Sequence, residues 1–261
     1  QYIDKTAQNL IELIKNELLL IVNPCEKKHN ASSQQVANHM SSSFFHYQRW
    51  QSGLLKSYSI KNKDLLDTIL KKYELSLDIE YYNQLFFTYT EIFKNWLSQI
   101  KPNTVFINCY YSLFHQALIY ACKKKKIQTV ELQHGLISKQ HIQYSPQKFM
   151  GTETFPDYIL THGEYVGPAI NTNFIDPNNI FPVGHYYLEK RLTTNLDQPK
   201  KLKDYKKTIV VSMQNDIEDP LLQSINRIAA KKPSVLFLIK CRDLKNLRSK
   251  LKNVKIENDQ D

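Results

Sequence analysis

The chain has 261 residues, of which 42% are hydrophobic and 23% are charged, and its formal net charge is +10. This composition is typical of a folded protein with a sizeable core and excludes a disordered chain, and no run reaches the roughly 20 apolar residues that cross a membrane. The positive charge favours anionic partners such as an anionic membrane surface or phosphorylated ligands. Because the lysines are scattered and no nucleic-acid motif is present, we expect no nucleic-acid partner.

The cysteines and the first residues bear on the cellular compartment. Cys25, Cys109, Cys122 and Cys241 show no paired spacing, which favours small buried side chains in a reducing compartment over disulfides or a zinc site. The stretch that begins at Gln1 is not typical of a secretory signal. We therefore expect a cytoplasmic protein, with peripheral attachment to the inner membrane as an alternative.

The N-terminal region is predicted to be helical. Apolar residues recur at helical spacing over residues 5–22, and the polar stretch 29–43 is typical of a loop or a weak helix. Two further helices are predicted over residues 54–73 and 79–100. The last of these carries an aromatic face, which is more typical of a core than of a sugar-stacking platform: Tyr81, Tyr82, Phe86, Phe87, Tyr89, Phe93 and Trp96.

A series of strands follows Pro102. Residues 104–109 and 127–132 are predicted as buried strands with a helix over 111–122 between them, which makes a βαβ unit. Shorter strands are predicted at 157–161 and 180–183. The last three strands each lead into a histidine–glycine pair: His134-Gly135, His162-Gly163 and Gly184-His185. Because parallel strands end at one edge of a sheet, these turns are expected around a ligand-binding crevice.

A second domain is predicted after a polar interdomain linker over residues 193–207. A buried strand at 208–213, a further strand at 234–240 and helices at 219–230 and 244–251 repeat the α/β pattern. The predicted domains are therefore 1–195 and 205–261. The second is expected to be incomplete, since a nucleotide-binding half of such a sheet needs about 100 residues.

The candidate site residues lie at the strand exits. His134 is the candidate catalytic residue, because an imidazole exchanges protons near neutral pH. The candidate substrate-binding residues are Gln133, Gly135, His162, Gly163, Glu164, Gly184 and His185. Several have structural alternatives, since histidines at strand ends are often only hydrogen-bonded, Gln133 is equally suited to bracing its turn, and Glu164 suits the start of a helix.

The ordered segments Val130-Glu-Leu-Gln-His-Gly135, Asp157-Tyr-Ile-Leu-Thr-His-Gly-Glu164 and Ile180-Phe-Pro-Val-Gly-His185, followed by a new βαβ domain, resemble a known family. They are similar to bacterial surface-polysaccharide glycosyltransferases of the GT-B fold, which include capsule, lipopolysaccharide and teichoic-acid-type enzymes. The resemblance covers roughly residues 104–213. It implies an α/β fold of two Rossmann-type domains that face a cleft, with the acceptor on the N-terminal domain and a nucleotide-sugar donor on the C-terminal one.

A mechanistic hypothesis for such an enzyme assigns chemical roles to the candidate residues. His134 would act as general base or as a hydrogen-bond partner of the acceptor hydroxyl, with Ser212, Met213 and Gln214 on the donor side unless they form an ordinary turn. The acceptor would be a growing glycan or a lipid-linked molecule. Neither a metal nor another cofactor is expected, since the nearest approach to a metal-binding DxD motif, at residues 216–218, suits a helix start better.

Three other functions fit the same pattern. A sugar-nucleotide 2-epimerase shares the predicted architecture, and a polyol-phosphate transferase has a site of the same style. A non-catalytic subunit that binds a glycan or a nucleotide is the third alternative, because fold alone does not fix function.

Overall fold

The computed structural model describes residues 7–14, 20–23, 39–55, 58–148, 151–193, 205–213, 218–241 and 249–258. The chain divides into two compact units, Gln1–Thr193 and Thr194–Asp261. Among the described residues, no helix combines the length and apolarity needed to cross a bilayer.

The first unit holds six helices and six strands among its described residues. In chain order they are α1 Gln8–Leu13, β1 Ile21–Asn23, β2 His39–Ser41, α2 Ser43–Ser52, α3 Lys63–Lys72, α4 Ile79–Ile100, β3 Thr104–Asn108, α5 Leu113–Lys124, β4 Gln128–Leu132, β5 Tyr158–Thr161, β6 Ile180–Pro182 and α6 Tyr186–Thr193. The predicted βαβ unit, now β3-α5-β4, is confirmed with shifts of one or two residues at its ends.

Helix α4 has the bounds that the sequence predicts. The side chain of Asp78 accepts a hydrogen bond from the backbone N–H of Tyr81 at 2.9 Å and caps the first turn. The helix ends where Lys101 adopts a left-handed conformation, directly before Pro102. Its aromatic face is only partly core, because Tyr89 and Phe93 are buried whereas the two tyrosines of the first turn are exposed.

The main sheet of this unit is entirely parallel, in the order β3-β4-β5-β6. Its register pairs Asn108 with Leu132, Leu132 with Leu160, and Leu160 with Phe181. The carboxyl ends of all four strands therefore lie side by side. Helices α4 and α5 supply much of the apolar core, which includes Phe93, Ile119 and Ile159.

Several predictions for the first 80 residues are wrong. The opening helix predicted over 5–22 ends at Leu13, and Ile21–Asn23 forms a strand instead, paired in parallel with His39–Ser41. The helix predicted over 54–73 begins only at Lys63. Most of the stretch 29–43 lies outside the described residues, but its end contains β2 and the start of α2.

The second unit contains β7 Lys207–Ser212, α7 Glu218–Ala230, β8 Val235–Cys241 and β9 Val254–Asn258, paired in parallel in the order β7-β8-β9. Its own core packs α7 against β8. Strand β7 was predicted to be buried, but it lies at the edge of this sheet and Val210 is 63% exposed. The predicted linker lies largely outside the described residues, as does most of the helix predicted over 244–251.

The three cysteines within the described residues form no disulfide with one another. Cys122 and Cys241 are buried and Cys109 is half-buried, in keeping with their predicted packing role. Burial raises the pKa of the Cys122 thiol to about 12, so this thiol stays protonated and unreactive. Cys25 lies outside the described residues.

Candidate functional site

The parallel register brings four strand exits together at the carboxyl edge of the main sheet. Residues 109–112 follow β3, residues 133–135 follow β4, residues 162–163 follow β5 and residues 183–185 follow β6. All three predicted histidine–glycine turns therefore lie on one edge. This edge is the candidate site.

His134 lies exposed at this edge, beside the exit of β3. Its Nε2 is 3.2 Å from the hydroxyl oxygen of Tyr111. Partial desolvation of the ring lowers the pKa of His134, and the nearby His141 lowers it further. Burial, followed by interactions with Cys109, raises the pKa of Tyr111 to about 12. At neutral pH the pair is therefore an uncharged imidazole beside an uncharged phenol.

A hydrogen-bonded turn holds Tyr111 in place. Cys109 adopts a left-handed backbone conformation with φ of 61°, which reverses the chain directly after β3. The hydroxyl of Ser112 then accepts a hydrogen bond from the backbone N–H of His115 at 3.2 Å and caps α5. The ring Nδ1 of His115 lies 3.1 Å from the carbonyl oxygen of Cys109, so the turn is closed at both ends.

Gln133 braces two of the turns. Its amide Nε2 donates to the carbonyl oxygen of Gly135 at 2.7 Å, and its Oε1 accepts from the backbone N–H of His162 at 2.7 Å. The side chain is buried, with 2% of its surface exposed. These contacts agree with the alternative that Gln133 braces its turn, and its predicted contact with substrate stays a prediction.

His162 and His185 form a ring pair with centroids 4.3 Å apart. Burial lowers the pKa of His162, and His185 lowers it further. The Nδ1 of His185 accepts a hydrogen bond from the backbone N–H of Leu188 at 3.3 Å at the start of α6. This contact is of the structural kind that the alternative for His185 describes, and its predicted contact with substrate stays a prediction.

The three glycines of the turns differ in what they require. Only Gly184 among them has positive φ, at 83°, which favours glycine there. A Cβ added at Gly163 would come within 3.1 Å of the ring of Tyr165, whereas one added at Gly135 would meet nothing within 4 Å. The space beside Gly135 is thus open to a ligand, although its predicted contact with substrate is untested. Glu164, which follows Gly163 in the chain, is exposed and begins a short 3-10 helix, Glu164–Ala169.

A buried carboxyl lies behind the edge, on β4. The side chain of Glu131 is fully buried, and its Oε1 accepts hydrogen bonds from the hydroxyl of Tyr144 at 2.6 Å and the backbone N–H of Tyr110 at 3.1 Å. Burial raises the pKa of Glu131 to about 7, although both hydrogen bonds oppose that shift. The carboxyl therefore gains or loses its proton near neutral pH.

A loop after Gly135 carries two more aromatic rings to the site. The ring of His141 lies with its centroid 5.6 Å from that of Tyr111 and 4.8 Å from that of Tyr144. Tyr111, Glu131, His141 and Tyr144 were not among the predicted site residues. Contacts of Tyr111 with His134 and Tyr144, and of Glu131 with Tyr144, join residues 13 to 33 positions apart, which strand periodicity does not reveal.

The predicted donor-side residues belong to the second unit. Ser212 is exposed at the end of β7. Met213 is buried in the core of that unit, and its N–H donates to the carbonyl oxygen of Lys240 at 2.8 Å, so its side chain has a packing role. Gln214 lies outside the described residues. Within the described part of the chain, no three His, Cys, Asp or Glu side chains form a group that would bind a metal ion.

Comparison with solved structures identifies the fold. The chain resembles the structure of S. aureus MnaA with UDP, with a TM-score of 0.53 and 9% sequence identity over 97% of this chain and 65% of that one. The likeness agrees with the predicted fold class. The fold is GT-B-like.

Two weaker likenesses concern a UDP-GlcNAc 2-epimerase from Neisseria meningitidis and the lipopolysaccharide outer core galactosyltransferase WaaB. The first has a TM-score of 0.46 and 15% identity over 86% of this chain and 66% of that chain. The second has a TM-score of 0.44 and 14% identity over 96% of this chain and 62% of that chain. This chain thus spans less than two thirds of the length of each of the three structures. No protein-family model and no curated protein matches the sequence.

Proposed function

We propose that the protein is a glycosyltransferase that moves a sugar from a nucleotide-sugar donor to a growing surface glycan or a lipid-linked acceptor. The observation that carries the proposal is the exposed, uncharged His134 at the carboxyl edge of a parallel sheet, beside open space at Gly135. Ligands of open α/β sheets bind at this edge. The GT-B-like fold and the resemblance of the turn sequences to surface-polysaccharide glycosyltransferases support the same activity.

In this proposal His134 is the general base. Glycosyl transfer to a hydroxyl requires a group that removes the hydroxyl proton as the new bond forms. The lowered pKa of His134 keeps its imidazole unprotonated at neutral pH, which is the form that accepts a proton.

Tyr111 contacts one of the two ring nitrogens of His134, Nε2. If the Nε2–H of His134 donates to the Tyr111 oxygen, 3.2 Å away, Nδ1 keeps its lone pair for the acceptor hydroxyl. This tautomer follows from the proposed role, because the opposite one leaves the ring no free basic nitrogen.

A panel of nucleotide sugars, incubated with and without glycan acceptors, tests the activity. We expect acceptor-dependent release of nucleoside diphosphate, with the rate falling as the pH drops below the ordinary histidine pKa of 6.5, because His134 becomes protonated. His134→Ala is expected to lower the rate by about 10²–10⁴-fold with an unchanged circular dichroism spectrum. His46→Ala is the matched control, since His46 lies on α2 and its ring packs against Tyr89 and Phe114, neither of which belongs to a histidine–glycine turn.

The outcomes separate the alternatives. Conversion of the donor sugar without any acceptor would replace the proposal by a 2-epimerase. Transfer only from a nucleotide-activated polyol phosphate would replace it by a polyol-phosphate transferase. Nucleotide binding without turnover would leave a binding subunit, and normal turnover by His134→Ala would remove His134 from the mechanism.

A further inference from the structure

The buried Glu131 connects the two segments that flank His134. Its Oε1 accepts a hydrogen bond from the backbone N–H of Tyr110, in the turn after β3, and another from the hydroxyl of Tyr144, in the loop after β4. Tyr110 directly precedes Tyr111, whose hydroxyl lies beside the His134 ring. A single carboxyl oxygen thus links both segments to β4, the strand that leads to His134.

Aromatic contacts extend this connection to the His134 ring. Tyr144 is fully buried, and its ring packs edge-on against Tyr111 and His141, with centroids 6.1 and 4.8 Å away. The phenol of Tyr110 also reaches the same loop, because its hydroxyl donates to the carbonyl oxygen of Gln143. A displacement of Tyr144 would therefore move both rings that contact or perturb His134.

The second carboxyl oxygen of Glu131 indicates the protonation state. Oε2 is buried and has no hydrogen-bond partner among the described residues. A bare, ionised oxygen in such a place is far more costly than a neutral carboxylic acid. The titratable groups that face the carboxyl are the phenols of Tyr110, Tyr144 and Tyr111, whose pKa values are all raised by burial first, so they offer no positive charge.

We propose that Glu131 is a positioning residue whose carboxyl holds Tyr111 and the His141–Tyr144 loop against His134, and whose ionisation changes that support. A carboxylate strengthens the two hydrogen bonds to Oε1 but leaves a charge on the buried Oε2, which has no partner among the described residues. The site would therefore be regulated by the proton on Glu131 as well as by the titration of His134 itself. The catalytic meaning of this arrangement rests on the proposed role of His134, whereas the physical coupling does not.

Histidine NMR across a pH series tests the coupling without any substrate. In the unaltered protein we expect the His134 ring signals, assigned from the spectrum of His134→Ala, to show a second inflection near pH 7, where Glu131 ionises. Glu131→Gln preserves the acceptor for Tyr110 and Tyr144 but cannot ionise, so this inflection is expected to disappear while the titration of His134 itself remains.

A second variant keeps the test decisive if Glu131→Gln does not fold. Tyr144→Phe removes one hydroxyl and is expected to shift the ring signals of both His134 and His141 with the fold retained. Glu153→Gln and Tyr73→Phe make the same chemical changes at exposed positions and should leave these signals unchanged.

Two results would overturn the inference. One is a His134 titration in Glu131→Gln that keeps the second inflection; the other is a Tyr144→Phe spectrum in which His134 and His141 do not move. Because neither measurement uses a nucleotide sugar, failure of the coupling leaves the proposed transfer reaction standing. Failure of the transfer assay likewise leaves the coupling intact.

Discussion

The hydroxyl of Tyr111 accepts a hydrogen bond from the Nε2–H of His134 in the proposed reaction. Tyr111→Phe removes this hydrogen bond and keeps the ring, so the imidazole loses the partner of its Nε2–H without losing its place. We expect kcat to fall by about 2- to 10-fold, which corresponds to the roughly 0.5–1.5 kcal/mol of one neutral hydrogen bond, with little change in KM. Steady-state kinetics of Tyr111→Phe beside the control Tyr73→Phe would measure this, and a change confined to KM would contradict it.

Glu131 is expected to make stability depend on pH in a direction opposite to that of most carboxylates. Its pKa in the folded protein is raised to about 7 from an ordinary 4.5, so between these values the folded state binds the proton more tightly than the unfolded state. The stabilisation is complete below pH 4.5 and is lost as the pH rises through about 7. Integrated over that interval, the loss is roughly 3 kcal/mol.

Denaturant unfolding at a series of pH values would isolate this contribution. Glu131→Gln is expected to remove the decline between pH 5 and 8, even if its amide lowers stability at every pH by leaving an N–H unpaired. Asp157 supplies an internal contrast. Burial would raise its pKa, but hydrogen bonds from Lys123 and Thr129 lower it overall, so its contribution is lost only as the pH falls below 3.8. Parallel pH curves for Glu131→Gln and the unaltered protein would show that Glu131 does not titrate there.

At the scale of the elements, Gln133 keeps the ends of β4 and β5 in one arrangement. Gln133→Met fills a similar volume but leaves the carbonyl of Gly135 and the N–H of His162 without their partner. We expect a loss of roughly 1–3 kcal/mol in the free energy of unfolding, the usual cost of an unsatisfied buried group. Gln128→Met, at the exposed start of β4, should change stability by less than about 0.5 kcal/mol. Equal losses in the two variants would rule out the bracing role.

The elements also show what the sequence could and could not predict. Helix α4 and the β3-α5-β4 unit were predictable because their signals are local: Asp78 before the helix, Pro102 after it, and apolar runs in the strands. Strands β1 and β2 were not, because each has three residues and exists only through pairing with the other. Helix α2 has a single buried residue, Phe45, so it lacks the apolar stripe that marks a helix.

The same reasoning applies to the site. The three histidine–glycine turns were placed on one edge because parallel strands must end together, which needs no knowledge of side-chain contacts. The network of Tyr111, Glu131 and Tyr144 was missed because it depends on the path of a loop, Gly135 to Asp157, whose described residues form no helix or strand. The position of each turn on the sheet edge was therefore predictable from the sequence, whereas the side-chain contacts between the turns and the loop were not.

At the scale of the whole molecule, we expect His134→Ala to lose turnover without losing affinity for the nucleotide. Any ligand that binds only the folded protein stabilises it, by about 2.7 kcal/mol when its concentration is 100 times its Kd. In the proposed reaction the nucleotide belongs to the donor and His134 acts on the acceptor hydroxyl.

A nucleoside diphosphate, with UDP tested first, should therefore raise the Tm of the unaltered protein and of His134→Ala by the same amount, although only the unaltered protein turns over. Differential scanning calorimetry of the two proteins over a range of nucleotide concentrations would measure both shifts. A shift lost in His134→Ala would place the nucleotide at the His134 turn and reverse the assignment of donor and acceptor, and no shift in either protein would remove nucleotide sugars as donors.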